Sequence, residues 1–337
     1  MRFSTPRGWY RREGSGFRAL NLILVPLSWV WAAVTARRLA RADAAYAGAP
    51  VICVGNLTLG GSGKTPVVRA IAARLAAAGV NAHVLSRGHG GAVPGPLRVD
   101  PALHDAVEVG DEALMLAADG LPVWIARDRL AGARAAAAAG AQAIVMDDGH
   151  QNPRVRKTLS LVVVDGETRD GEWPFGDGRV FPAGPLRESV RAGLARADAV
   201  ILLLPADFEQ GDPRLIAALT GRPVLIARLA ALAPPPPGPQ LGFAGVAKPW
   251  KVERALAAAG AELVDFAPLA DHAPLREPLL RALADRASAL GAGLVTTEKD
   301  WVRLPSVWRS RIAAWRVGVS FDDEPALDVL LGRLHER

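Results

Sequence analysis

Lys64 and Thr65 close the stretch "GNLTLGGSGKT", residues 55–65, which follows the apolar run "VICVG" and precedes a helical pattern. In that setting the amides of a glycine-rich turn and of a helix N terminus point at phosphate oxygens. The lysine reaches the β and γ phosphates, and the threonine hydroxyl is a magnesium ligand. The spacing therefore predicts a nucleotide cradle made of Thr58, Gly60, Gly61, Ser62, Gly63, Lys64 and Thr65. The general pattern asks for glycine five residues before Gly63, and here that residue is Thr58. Thr58 removes no phosphate-facing group. It requires only that the loop turn without glycine at that point, with Gly60 and Gly61 supplying the freedom. A chance glycine-rich turn is the bland alternative.

Asp147 and Asp148 end the apolar stretch "AIVMDD". Carboxylates at the carboxyl end of a parallel strand stand where such sheets bind ligands, so either is a candidate to hold magnesium with Thr65. Taken alone, a pair of turn or helix-capping aspartates would look the same.

The composition narrows the partners. The chain has 337 residues, half of them apolar, a net charge of +6 and a pI near 10. That is enough for two globular units and predicts an anionic partner. The cations are spread along the chain and only 6% of residues are aromatic, with no basic-aromatic stripe, so a nucleic-acid binder is not expected. Only five of the 40 cations are lysine (Lys64, Lys157, Lys248, Lys251 and Lys299), which singles out the lysine in the loop. The single cysteine, Cys53, lies in a strand-like run, so no intramolecular disulfide forms and a reducing compartment is expected.

From Val51 short Val- and Ile-rich runs alternate with helical segments, the pattern of a doubly wound, mostly parallel α/β sheet with helices on both faces. "ALAPPPPGPQ" then interrupts the pattern as a stiff spacer, and the alternation resumes. The expected organisation is an N-terminal helical segment over 1–44, a phosphate-loop domain over 45–230, a Pro-rich linker over 231–240 and a smaller α/β domain over 241–337.

Residues 20–34, "LNLILVPLSWVWAAV", carry no charge. Arg7, Arg11, Arg12 and Arg18 precede them, and Arg37, Arg38 and Arg41 follow. The run is short for a membrane span. Cations on both sides and Trp29 and Trp31 within it predict a helix lying on an anionic leaflet. A core helix is one alternative. A secretory or twin-arginine signal is the other, opposed by the basic flank that follows.

Several motifs together resemble one family. "GNLTLGGSGKTP", "SRGHGG" (Ser86–Gly91), "VGDEALMLA" (Val109–Ala117), "MDDGHQN", "FPAGPLRE" (Phe181–Glu188), "GFAGVAKP", Asp271–His272 and "TTEKDWVRL" (Thr296–Leu304) occur in the order and spacing of the tetraacyldisaccharide 4'-kinases, over nearly the whole chain. That family's loop also lacks the first glycine. The resemblance implies a lipid kinase using ATP and Mg2+. It would phosphorylate the 4'-hydroxyl of an acylated glucosamine disaccharide 1-phosphate, giving lipid IVA in lipid A biosynthesis at the cytoplasmic face of the bacterial inner membrane. It also implies Asp111 as the base, sharing the proton with His272 from the other domain, and Arg187 as a cation near the γ-phosphate or substrate. No obligate protein partner is evident. From the residues alone, the favoured reading of Asp111 is a helix cap, and Arg187 and Glu188 could be a solvated pair and Lys299 a structural lysine. This chain departs from the family pattern at His89, where tyrosine is usual, and at His150 and Asn152, where phenylalanine and histidine are common. The competing class is a membrane-peripheral ATPase switch, which would share the loop, the aspartates and the basic helix but would hydrolyse rather than transfer.

Overall fold

A computed structural model describes residues 6–10, 18–169 and 171–335. Arg11 and Arg12 of the expected basic flank lie outside the described residues. Among the described residues, thirteen strands build two sheets. They are β1 (Val51–Gly55), β2 (Ala82–Ser86), β3 (Leu97–Arg98), β4 (Val123–Ile125), β5 (Ala143–Asp147), β6 (Leu159–Asp165), β7 (Ala199–Pro205), β8 (Val224–Ala231), β9 (Pro239–Ala244), β10 (Glu262–Pro268), β11 (Gly293–Thr297), β12 (Ile312–Trp315) and β13 (Val317–Phe321).

The larger sheet runs β13-β8-β7-β6-β1-β5-β2-β4-β3 and is parallel except at its two edges, where β13 and β3 are antiparallel to their neighbours. Its central strands β1, β5 and β7 are buried along their whole length. Alternate residues pack on opposite faces: Ile52, Val54 and Val145 join one apolar cluster, Val51, Cys53 and Ile144 another. Burial on both faces explains why these strands read as unbroken apolar runs. The architecture is the expected doubly wound α/β sheet with a second, smaller α/β unit, a four-stranded parallel sheet ordered β10-β9-β11-β12.

The C-terminal part of the expected 241–337 domain needs correction. "IAAWRVGVS" looks like one strand, yet the chain breaks at Arg316. β12 stays in the small sheet, whereas β13 crosses back to pair with β8 of the large one. The helix Glu324–Gly332 follows it, burying Leu327, Leu330 and Leu331 in the same core as Ile71 and Leu75. The crossing is held by Arg316, whose Nε lies 2.9 Å from Glu298 Oε1 while its NH2 meets Asp119. Hydropathy alone cannot distinguish a strand that continues from two that part at a pinned arginine.

Two helices matter for the site. Helix α1 (Arg18–Arg41) carries the N-terminal apolar run, and α2 (Lys64–Ala77) follows the phosphate loop. The stretch Ile23–Arg41 is long and apolar enough to cross a membrane by length and composition. It is not a core helix: Ile23, Leu27, Trp29, Val30 and Val34 are all more than half exposed.

Candidate active site

The loop between β1 and α2 explains the threonine at its start. Thr58 is bridged antiparallel to Leu186, Leu59 N–H donates to Pro185 O at 2.8 Å, and Arg187 N–H donates to Leu57 O at 2.8 Å. Residues 57–59 are thus an extended segment paired with "FPAGPLRE", a backbone conformation that needs no glycine. The left-handed positions are Gly60 (φ 93) and Gly63 (φ 74), and a Cβ on Gly63 would stand 2.3 Å from Leu203 Cδ2. Gly61 is not left-handed, and a Cβ there would meet only Ala247 of the second unit, at an ordinary contact distance of 3.5 Å. Inside the loop, buried Asn56 donates from Nδ2 to Ser62 Oγ at 2.9 Å, and no side chain caps the start of α2. The first amides of α2 therefore remain free for an anion. Replacing Thr58 by glycine recreates the general pattern, yet it should cost about 0.5–1 kcal/mol of stability and leave ATP affinity no tighter. Chemical denaturation and ATP titration of Thr58→Gly check both.

Lys64 opens α2, with Thr65 in the same turn. Lys64 Nζ lies 3.5 Å from Asp148 Oδ1, and Arg187 NH1 donates to that oxygen at 2.7 Å. Burial works against ionisation of Asp148, but Lys64 and Arg187 prevail and hold its carboxyl well below the usual carboxylate range. Asp148 sits at a left-handed φ of 52, which turns the chain out of β5 just past Asp147. The expected loop, strand end and "PLRE" residues therefore meet at one point.

Asp147 behaves oppositely. It is buried, its Oδ1 has no hydrogen-bond partner, and burial together with Glu112 pushes its pKa up to about 7, with Lys64 opposing. An orphaned, buried carboxylate oxygen is a group that a divalent cation would satisfy. Among the described residues no cluster of three or more His, Cys, Asp or Glu could hold a metal. Magnesium takes one or two protein ligands and completes its shell with phosphate and water, so a single carboxylate such as Asp147 is enough for it.

A second pair spans the two units. Asp111 begins the helix Asp111–Ala118 and is buried, while His272 stands in the loop after β10; His272 Nδ1 is 2.9 Å from Asp111 Oδ2. Asp111 is the first residue of the helix and not its cap: the N-cap is Gly110, no side chain caps it, and Asp111 Oδ1 accepts only the adjacent Glu112 N–H at 2.9 Å. Burial opposes the charge, but the hydrogen bond from His272 and the nearby Lys299 outweigh it and lower the Asp111 pKa to about 2. His272 is itself strained, with φ 54, and its N–H donates to Gly245 O at 3.0 Å. Gly245 N–H in turn donates to Asp300 Oδ2 at 2.9 Å, and Thr297 and Arg303 hold that carboxylate. "TTEKD" therefore anchors the loop that delivers His272. Lys299 pairs with Glu112 at 2.9 Å across the same boundary, and the His89 ring centre stands 6.1 Å from that of His272.

Some residues at the site were not singled out by sequence reasoning. Glu188 is buried rather than solvated and pairs with Arg196 at 2.6 Å. Gln151 Nε2 donates to Asn56 O at 2.9 Å and to Glu188 Oε1 at 3.0 Å, and its Oε1 accepts from Arg187 at 3.3 Å. Buried Arg129 donates to Asp147 O at 2.9 Å. "MDDGHQN" flagged the neighbourhood of Gln151, but polar partners brought from residues 37 or 95 positions away leave no local pattern.

The His150 departure has a packing account. His150 is fully buried, with Nδ1 3.0 Å from Ser160 Oγ and Nε2 3.0 Å from Gly193 O. Burial, reinforced by Arg196 and Lys157, lowers its pKa from 6.5 to about 4. The unfolded chain then binds a proton that the fold refuses. This contribution to stability is complete above pH 6.5 and is lost as pH falls toward 4, by on the order of 3 kcal/mol. His150→Phe should flatten the fall in denaturant stability between pH 7 and 5 relative to wild type.

Known proteins resemble this chain in sequence and in fold. The family model for tetraacyldisaccharide-1-P 4'-kinase matches residues 20–335. The tetraacyldisaccharide 4'-kinase of Phenylobacterium zucineum is 64% identical over 334 residues, covering 99% of this chain and all of that protein. The enzyme of the same name from Caulobacter vibrioides is 62% identical over 331 residues, covering 98% of each. The crystal structure of the "apo" form of LpxK from Aquifex aeolicus in complex with ATP is 24% identical, with a TM-score of 0.73 over 94% of this chain and 99% of that one, a likeness of fold. By the extent of the family match and the identity to these relatives, the chain belongs to the tetraacyldisaccharide-1-P 4'-kinase family.

Proposed function

We propose that this chain transfers the γ-phosphoryl group of ATP to the 4'-hydroxyl of a tetraacylated glucosamine disaccharide 1-phosphate, and that the residues just described perform the transfer. The observation that carries the assignment of roles is the meeting of Lys64, Arg187 and Asp148 at the N terminus of α2. The Asp148 carboxylate stands between the two cations. A γ-phosphate brought there by the loop would compete for both, and Lys64 and Arg187 would then face the charge that spreads over the transferring oxygens. Asp147, with its unpartnered oxygen, and the Thr65 hydroxyl are the residues that fit magnesium, which when bound would neutralise the β- and γ-phosphates.

A sugar hydroxyl must lose a proton as it attacks. We assign that proton to the Asp111–His272 pair. A carboxylate with a pKa of about 2 is a weak acceptor by itself, so the proton rests on the imidazole while Asp111 orients the ring and compensates its charge. The two members come from different units, so the base is complete only when the units are together.

The apolar, exposed side of α1, with Trp29 on it and Arg37, Arg38 and Arg41 after it, supports seating on an anionic membrane surface, which places the acyl chains of the substrate beside the site. The test is transfer of labelled γ-phosphate to tetraacyldisaccharide 1-phosphate in detergent micelles, beside ATP hydrolysis without lipid. Label in the disaccharide that disappears in Lys64→Ala supports the reading. Equal phosphate release with and without lipid, and no labelled glycolipid, would replace it with an ATPase.

A further inference from the structure

Helix α1 presents two sides with different work. Ile23, Leu27, Val30 and Val34 form a stripe at helical spacing that is 74, 56, 58 and 60% exposed. Ser28, Trp31 and Arg38 lie on the adjoining side and hydrogen-bond to the backbone of Ala183, Arg187 and Gln151. Buried Ser28 accepts the Ala183 N–H on Oγ at 3.0 Å. Trp31 donates from Nε1 to the Arg187 carbonyl at 3.3 Å and packs edge-on against Phe181, with ring centres 5.0 Å apart. Arg38 donates to the Gln151 carbonyl at 3.4 Å.

The contacts of Ser28 and Trp31 converge on one short segment. Phe181 N–H donates to Leu186 O at 2.8 Å, folding 181–186 back on itself, and Arg187 N–H is fixed to the phosphate loop. With its carbonyl bound by Trp31, the Arg187 peptide is held from both sides, by the loop and by α1. Its guanidinium then reaches Thr58 O at 3.0 Å as well as Asp148 and Gln151. An arginine on an unfixed backbone would search many rotamers, and an error of about 1 Å in placing a catalytic cation can cost roughly a hundredfold in rate.

We propose that α1 is a positioning element of the transfer site: through Ser28 and Trp31, a helix seated on lipid fixes the segment 181–187 and thereby the Arg187 guanidinium. The inference rests on the assignment of Arg187 to the phosphoryl group made above. It gives the lipid-facing helix a part in turnover besides anchoring, because lipid that fixes the position of α1 also fixes the peptide that carries Arg187.

The experiment uses the full chain and compares Ser28→Ala, Ser28→Thr and Trp31→Phe, alone and combined with Arg187→Ala. It measures kcat and KM for ATP in micelles, flotation on phosphatidylcholine–phosphatidylglycerol vesicles, and thermal unfolding. Ser28→Ala leaves a buried N–H without a partner and should lower kcat by about 5- to 30-fold; Trp31→Phe keeps the ring and should lower it by about 2- to 10-fold. KM for ATP and vesicle binding should stay within about twofold of wild type, and Ser28→Thr should restore most of the rate. In the Arg187→Ala background neither change should lower kcat further, since the positioned group is gone. Undiminished kcat in both single variants while Arg187→Ala is impaired overturns the proposal, as do losses that add in full to that of Arg187→Ala. Wild-type kcat in Arg187→Ala itself removes the role of Arg187 at the site and the positioning proposal with it.

Discussion

Lys64→Ala should lower kcat for transfer by about a hundredfold to a thousandfold, and should weaken ATP binding as well. The size follows from where the ammonium stands. Lys64 begins α2, where uncapped amides already favour an anion, and its Nζ lies 3.5 Å from the carboxylate that Arg187 also binds. Two cations converge on one negative centre, and removing one leaves the arginine to face the phosphoryl charge alone. Lys64→Arg should recover only part of the loss, because a planar fork does not replace a compact ammonium at the phosphates. The measurement is single-turnover transfer of labelled phosphate with ATP affinity determined separately. Near wild-type single-turnover rates in Lys64→Ala would exclude the lysine from the transfer step.

The phosphate loop was legible because its chemistry is local: strand, glycines, lysine, threonine and helix follow one another within 27 residues, 51–77. The sheet was legible for the same reason, since burial on both faces writes itself as apolar runs in β1, β5 and β7. What failed was non-local. No feature of "IAAWRVGVS" announces that Arg316 divides it between two sheets. Neighbouring glycines are the local explanation for the tolerance of Thr58, whereas pairing with Leu186, 128 residues away in the chain, makes the segment extended. Glu188 read as solvated because a Glu beside an Arg usually is; its burial depends on Gln151 and Arg196 being folded against it. Asp111 and His272 drew attention only through resemblance. The structure supplies the physical reason for their pairing: a chain of contacts from Asp300 through Gly245 brings His272 to a carboxylate 161 positions earlier.

Asp111→Asn should lower kcat by about a hundredfold to ten-thousandfold while leaving ATP affinity largely intact, the pattern of a group used in the proton transfer rather than in holding the nucleotide. The amide keeps the shape and the bond to the Glu112 N–H, so the helix start is preserved; what disappears is the charge that orients and compensates His272. The ionised carboxylate is available throughout the physiological range, because its pKa is about 2. Loss of rate at neutral pH would therefore come from the substitution and not from a change in protonation of the wild-type group. His272→Ala should give a loss of similar size, and the double variant should be little worse than either single one, since both act on one proton. Losses that multiply in full would mean two independent roles. Wild-type turnover in Asp111→Asn would reduce Asp111 to the first residue of a helix and leave the sugar proton to another acceptor. The buried pair with Lys299 nearby makes unfolding a competing cause of low rate, so thermal unfolding of each variant belongs beside the kinetics. A loss of rate with an unchanged midpoint assigns the effect to chemistry, and the domain boundary on which His272 stands then becomes part of the active site.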